Sequence, residues 1–334
     1  GISSTELRTE QLGVIKLGMV GTGRIAKRFI LESKYVSGVN IEGVYGRNKE
    51  RLLSFIQENE IAFCETDYDQ FLEKVDAVYI ATPHETHYEF IKKAILKGKH
   101  VLSEKPMTLK VQEAKEVFAL ALERKCVLLE GIKTAFAPGF IRLISLAKSG
   151  IIGEIRSVEA TFTKLVEGDL RELSDEEAGG SMTELASYPL VALIKLLGSN
   201  WTDLRFISHY DPEKNVDLFT QFHMLTKSAY GTGKVGLGVK SEGNLVISGS
   251  RGYIYVPAPW WKTEYFEVRY EHFEENKKYY YKFEGDGLRY ELAEFLHMIQ
   301  NNTLETYKLT HEESLKIIEV IETYKKGQNV TILA

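Results

Sequence analysis

The chain has 334 residues, enough to bury a core of good size and to form two domains. Hydrophobic residues make up 44% and charged residues 27%, ordinary for a globular protein, and a formal net charge of -5 argues against a nucleic-acid partner held by phosphate contacts. No apolar run reaches a membrane span, no basic-then-apolar signal opens the chain, and Cys64 and Cys126 make neither a disulfide framework nor a zinc spacing, so a reducing cytoplasmic setting is expected.

In chain order, "IKLGMV" (15–20) is a short apolar strand that runs into "GTGRIA" and a helix through Phe29 and Ile30. "VNIEGVYGRN" reads as a second strand and "KERLLSFIQEN" as the next helix. "AVYIATP" is a buried strand, "ETHYEFIKKAILKG" a helix stopped at glycine, and "HVLSEKP" a strand. The helix "VQEAKEVFALALERK" and the strand "CVLLEGI" follow. Apolar strands alternating with helices predict a parallel sheet covered on both faces. After about residue 135 the texture changes. A helix at "GFIRLISLAKSG" leads to the alternating strand "GEIRSVEATFTKL", and one helix is expected through "SMTELASYPLVALIKLL". Two-period segments then succeed one another from "LRFISHY" to "KKYYYKFE", rich in aromatic and β-branched residues, and predict a largely antiparallel sheet with one solvated face. Helices at "GLRYELAEFLHMI" and "EESLKIIEVIETYKK" close the pattern. The fold class expected is α/β: a Rossmann doubly wound domain over residues 14–134, then an α+β domain with a large open-faced sheet over 135–334.

"GTGRIA" places Gly21, Gly23 and Ala26 in the dinucleotide-binding spacing, with Thr22, Arg24 and Ile25 between and beside them. Gly21 allows the tight turn, Gly23 lets the backbone approach a pyrophosphate, and the phosphate sits at a helix N-terminus. A strand before and a helix after are the context that gives the motif weight, against a glycine turn with no ligand. The second strand ends in "VYGRN", with Arg47 and Asn48 where an NAD-type fold carries an acid. Arg47 can pair with a 2′-phosphate, so NADP(H) is the preferred cofactor, with NAD(H) tolerated; a merely solvated arginine is the alternative.

"GTGRIA", "ATPHETHYEF", "SEKPMTL" and "GGSMTELASYPL", in that order, resemble the Gfo/Idh/MocA oxidoreductases, the glucose–fructose oxidoreductase and inositol dehydrogenase family. The resemblance implies a Rossmann domain, then a sheet domain that carries most of the substrate site and often the oligomer contact, so a dimer or tetramer is expected. It places Lys105 of the E-K-P motif beside nicotinamide and substrate, with Glu104 fixing the loop on the cofactor side. A positioned ammonium there can stabilise the alkoxide that forms as hydride moves. A Glu–Lys surface pair is the plainer alternative. Thr82, Pro83 and His84 fall near the nicotinamide ribose, and His87 supports the following helix; His84 and His87 alone make no metal site, and none is expected.

Related enzymes carry an aspartate where this chain has Glu184, with Tyr188 four residues on. Spacing i, i+4 puts both on one helix face. Tyr188 is the expected proton donor or acceptor, aided by Lys105, and Glu184 the group that orients the substrate or shares the proton relay. Both also suit an ordinary amphipathic helix. Lys133 stands where dihydrodiol and xylose dehydrogenases have tryptophan, and Lys164, Arg171, Lys240 and Lys262 are further cations on the substrate side. They hint at an anionic, phosphorylated substrate, although each also reads as a surface charge. The function expected is an NAD(P)-dependent dehydrogenase or reductase acting on a CH–OH/C=O pair of a sugar, polyol or polyol phosphate. A nucleotide-binding sensor or scaffold that kept the fold is the alternative. "GISSTELR" (1–8) resembles the end of cytidylyltransferases. Residues 1–13 are accordingly read as a leader or the remnant of a fused cytidylyltransferase domain, whose partner activity would be CDP activation for cell-surface polymer synthesis.

Overall fold

The computed structural model describes residues 13–168 and 170–333; the segment that resembles a cytidylyltransferase lies outside them. Its strands and helices form two units. The first gathers the described residues as far as Thr108, Gln112–Lys133 and Gly285–Leu309; the second gathers Leu109–Val111, Thr134–Glu284 and the described residues from Thr310 onward.

The first unit is built on six parallel strands: β1 (Ile15–Val20), β2 (Val39–Tyr45), β3 (Phe63–Glu65), β4 (Ala77–Ile80), β5 (His100–Glu104) and β6 (Leu128–Gly131), in the order β3-β2-β1-β4-β5-β6. The sheet reverses direction of winding between β1 and β4, which opens a crevice at the strands' carboxyl ends. Helices α1 (Arg24–Ser33), α2 (Lys49–Asn59), α3 (Tyr68–Glu73), α4 (His87–Leu96) and α5 (Val111–Arg124) connect the strands. The apolar runs are the reason for this arrangement: Leu17, Met19 and Val20 of β1 and all four residues of β4 are fully buried, as strands covered on both faces require. Asn48 and Asp67 start α2 and α3 by accepting the N–H of Arg51 (3.0 Å) and Gln70 (3.1 Å). The pattern of the sequence missed β3 and α3, because three and six residues are too short to show a period.

The second unit holds α6 (Pro138–Lys148), β7 (Ile155–Thr163), the single turn α7 (Arg171–Ser174), α8 (Ser181–Leu185) and α9 (Ser187–Leu197). Strands β8 (Asp203–Tyr210), β9 (Asp217–Leu225), β10 (Tyr230–Gly236), β11 (Leu245–Gly249), β12 (Gly252–Val256), β13 (Tyr265–Tyr270) and β14 (Lys277–Tyr280) follow. After α10 (Leu288–Asn301), which belongs to the first unit, come α11 (His311–Lys325) and β15 (Val330–Leu333). The nine strands lie in the order β14-β13-β12-β11-β7-β10-β9-β8-β15. The sheet is mostly antiparallel, with β10 parallel to β7 and β15 parallel to β8. Helix α9, apolar nearly all round, packs over β7 and β10 and is buried along almost its whole length. On the opposite face Ile207, Tyr230 and Tyr253 are exposed.

The helix expected through "SMTELASYPLVALIKLL" is two. Pro189 has no N–H for the carbonyl of Leu185, and its ring crowds that oxygen. The chain breaks at Ala186, and hydrogen bonding resumes with the Leu190 N–H on the Ala186 carbonyl (3.0 Å). The expected strand "GKVGLGVK" runs instead from Tyr230 to Gly236, displaced toward the N-terminus.

The segment 285–309 lies with the first unit for a local reason. Glu32, buried in α1, takes both Nε (3.0 Å) and Nη2 (2.6 Å) of Arg289 on one oxygen and the Asp286 N–H (2.9 Å) on the other. This buried, charge-assisted cluster fixes the start of α10 to α1.

Candidate functional site

The carboxyl ends of β1, β2, β4, β5 and β6 bring Gly21–Ile25, Arg47, Thr82–His84, Glu104–Lys105 and Lys133 to one edge of the first unit's sheet. Gly21 has φ +113°, and a Cβ there would stand 2.5 Å from the Ala81 carbonyl oxygen, so no other residue makes this turn unstrained. At Gly23 the same test finds nothing within 4 Å: the space over its α-carbon is open. Helix α1 begins there with no side-chain cap and no acid in its first turn. The positive end of a ten-residue helix with no side-chain cap and an open approach fit the pyrophosphate of a dinucleotide. Ala26, wholly buried, keeps α1 close to the sheet. Arg47 is exposed just past β2, and its neighbour Asn48 is occupied as the cap of α2. A 2′-phosphate placed there would meet the Arg47 guanidinium.

Glu104 ends β5 and Lys105 follows it; both are half-buried, and the Lys105–Pro106 peptide is cis. The loop behind them is braced at two points. Glu130, buried in β6, accepts the Met107 N–H at 2.8 Å. His87, buried at the start of α4, places Nδ1 2.8 Å from the Pro106 carbonyl oxygen and Nε2 2.9 Å from that of Thr82. Both partners are acceptors, so both bonds are complete only when both ring nitrogens carry protons. His87 thus ties the loop of Thr82 to the loop of Lys105, and its nitrogens are committed to that. Replacing His87 with alanine takes the donor from the buried Pro106 carbonyl and from the part-buried Thr82 carbonyl, and is expected to cost about 1–3 kcal/mol in urea unfolding, with a fall in turnover as the Lys105 loop loosens.

Burial pushes the Glu104 carboxyl up, against the charges of Lys105 and Lys133 and the Tyr79 hydroxyl, which hold it down. Lys133 itself is nearly buried and donates to Asp286 at 3.2 Å, with Arg28 4.0 Å from the same oxygen. The Lys133 ammonium is therefore already balanced within the first unit.

In the second unit the ring of Tyr188 is buried and stacks on Phe162 at 4.8 Å, and Phe162 stacks on Trp261 at 3.8 Å. Glu184 is half-buried on α8, one helix earlier. Lys164 and Arg171 are exposed, while Lys240 donates to the Thr163 carbonyl at 3.2 Å.

Three supporting residues escaped the sequence reading. Asp217, buried at the start of β9, accepts the Met182 N–H (3.0 Å) and the Thr220 hydroxyl (2.6 Å), and so caps α8 from outside. Gly180 precedes that helix with φ +93°, and a Cβ there would strike the Asp217 carboxylate. Burial raises Asp217, and the bonds from Thr220 and Met182 offset this. Glu130 was hidden inside an apolar strand. Glu291 shares the stripe of Leu288, Leu292 and Phe295 on α10; an acid on an apolar face was the signal available.

Known proteins match this picture. Two sequence models of one family match parts of the chain: "Oxidoreductase family, NAD-binding Rossmann fold" over residues 15–132 and "GFO/IDH/MocA C-terminal domain" over residues 140–255. A dTDP-3,4-didehydro-2,6-dideoxy-alpha-D-glucose 3-reductase of Actinomadura kijaniata is 33% identical over 198 residues, which are 58% of each chain. A second such reductase, of Streptomyces violaceoruber, is matched over 62% of its length, so the chain spans about three fifths of these relatives. The trans-1,2-dihydrobenzene-1,2-diol dehydrogenase of Sus scrofa is 25% identical over 95% of this chain and 98% of its own. Among solved structures, a 3-ketoreductase from Actinomadura kijaniata in complex with NADP and TDP-benzene superposes with a TM-score of 0.84 at 22% identity, over 96% of this chain and all of the other. With its glycine turn, strand order and E-K-P loop in place, the chain belongs to the Gfo/Idh/MocA oxidoreductase family.

Proposed function

We propose that this protein is an NADP(H)-dependent oxidoreductase that interconverts an alcohol and a carbonyl on a sugar, polyol or polyol phosphate. One observation carries the reading. The open glycine cradle after β1 and the braced lysine after β5 lie on the same carboxyl edge of one parallel sheet, with only β4 between their strands.

In this reading Gly21–Ile25 would hold the pyrophosphate, Arg47 the 2′-phosphate, and Thr82–His84 the ribose beside the nicotinamide. When bound, the nicotinamide supplies or receives the hydride. The chain's own residues serve the proton side. The Lys105 ammonium hydrogen-bonds the reacting oxygen and stabilises its developing charge. Tyr188 gives or takes the proton, and Glu184 orients the sugar. The relatives named for dTDP-linked sugars make nucleotide-linked keto sugars the first class to screen. A finer reading, that the product goes on to CTP-dependent activation, rests on "GISSTELR" alone; a gene encoding no upstream nucleotidyltransferase region removes it.

The test is a screen of keto sugars, their phosphates and their nucleotide-linked forms with NADPH deuterated at the transferring carbon. Deuterium on the former carbonyl carbon of one product is the expected result. Tight nucleotide binding with no transfer to any class would favour a sensor instead.

A further inference from the structure

Glu291 lies in the first turn of α10, wholly buried, and neither of its carboxyl oxygens has a hydrogen-bond partner among the described residues. An ionised carboxylate held that way loses its hydration with nothing in return. A second carboxyl group lies beside it. A Cβ on Gly131, the last residue of β6, would stand 2.5 Å from Oε2 of Glu291 and 3.1 Å from Oε2 of Glu104. The two groups converge on one bare α-carbon, Glu291 from α10 and Glu104 from the end of β5. The ionisable groups that face them are Lys105, Lys133, Tyr79 and His84 about Glu104, and Lys133, Asp286 and Glu32 about Glu291.

We propose that Glu104 and Glu291 hold a single proton between them, and that Glu291 is the positioning residue that keeps Glu104 set beside Lys105 for the reaction. Two carboxylates that converge on one α-carbon, one of them wholly buried, repel each other when both are ionised. A neutral Glu291 avoids its desolvation cost and has an O–H to give. Glu104 then keeps one negative charge next to two ammonium groups. Burial and the charge of Glu104 both raise Glu291 well above the ordinary carboxylate range, in agreement with this assignment. The catalytic part of the proposal rests on the role given to Lys105 above; the shared proton does not.

The test combines three readouts on the full chain. With carboxyl-labelled glutamate, the infrared spectrum of the wild type at neutral pH should show the carbonyl stretch of an un-ionised carboxylic acid, and Glu291→Gln should lack it. Thermal melting gives the second. A carboxyl whose folded pKa is raised stays protonated in the folded chain while the unfolded chain ionises, so its stability contribution is full below the unfolded value and falls as pH rises toward the folded one. Glu291→Gln cannot ionise, so its melting temperature should fall less than the wild type's between about pH 5 and about pH 8 and end a few degrees higher. Third, turnover in Glu291→Gln should lose its alkaline limb and drop about tenfold in kcat at neutral pH, with KM for substrate within about twofold. No un-ionised band in the wild type overturns the shared proton, even if the variant fails to fold. So does a variant less stable at every pH. An unchanged kcat with the band present overturns the positioning role alone. Absence of turnover in the wild type would instead count against the enzymatic reading, since band and melting profile are independent of it.

Discussion

Lys105→Met is expected to lower kcat/KM by about 10²- to 10⁴-fold while NADPH affinity stays within about threefold. Methionine keeps the length and apolar stem of the side chain and removes the charge. Lys105 follows β5 and opens a loop pinned at Pro106 by His87 and at Met107 by Glu130. That loop should keep its shape when the ammonium is lost, so the defect should fall on the transition state and not on folding. Steady-state kinetics and a nucleotide titration on the same preparation separate the two. A comparable loss in NADPH binding would mean that Lys105 serves the cofactor, and an undiminished kcat/KM would remove it from the chemistry.

The second large effect concerns the glycine pair. Gly21→Ala forces a side chain into a left-handed turn and against the Ala81 carbonyl, and is expected to cost about 2–4 kcal/mol of stability together with nucleotide binding. Gly23→Ala meets no protein atom within 4 Å and has φ -77°, so the fold should be unaffected. Its methyl group would nevertheless occupy the space through which a pyrophosphate approaches α1. An affinity loss of about tenfold or more, at an unchanged melting temperature, is therefore expected. Equal NADPH affinity in Gly23→Ala and wild type would place the phosphates elsewhere. The two variants together distinguish a glycine kept for the backbone from one kept for a ligand.

The Rossmann half of the fold was legible in the sequence because its strands are uninterrupted apolar runs and its helices carry explicit stop and start signals, such as Gly98 after α4 and Asn48 before α2. The glycine turn and the E-K-P loop were legible for a different reason: short spacings demand particular residues. What remained hidden depends on distance along the chain. Asp217 caps a helix that begins 36 residues before it, and Glu130 reaches back 23 residues to hold Met107. No local pattern marks such pairings. The break at Ala186 follows from Pro189, whose missing N–H sits within an apolar period that runs on either side of it. The ion pair of Lys133 with Asp286 was hidden for the same reason: the two lie 153 residues apart.

The measurement that bears most directly on the central claim is a calorimetric titration of the wild type and Arg47→Ala with NADPH and NADH. Micromolar or tighter NADPH binding, about tenfold or more above NADH, with that preference lost in Arg47→Ala, is the expected result. No binding of either nucleotide by the folded wild type would contradict the claim and leave a Rossmann fold that has lost its cofactor.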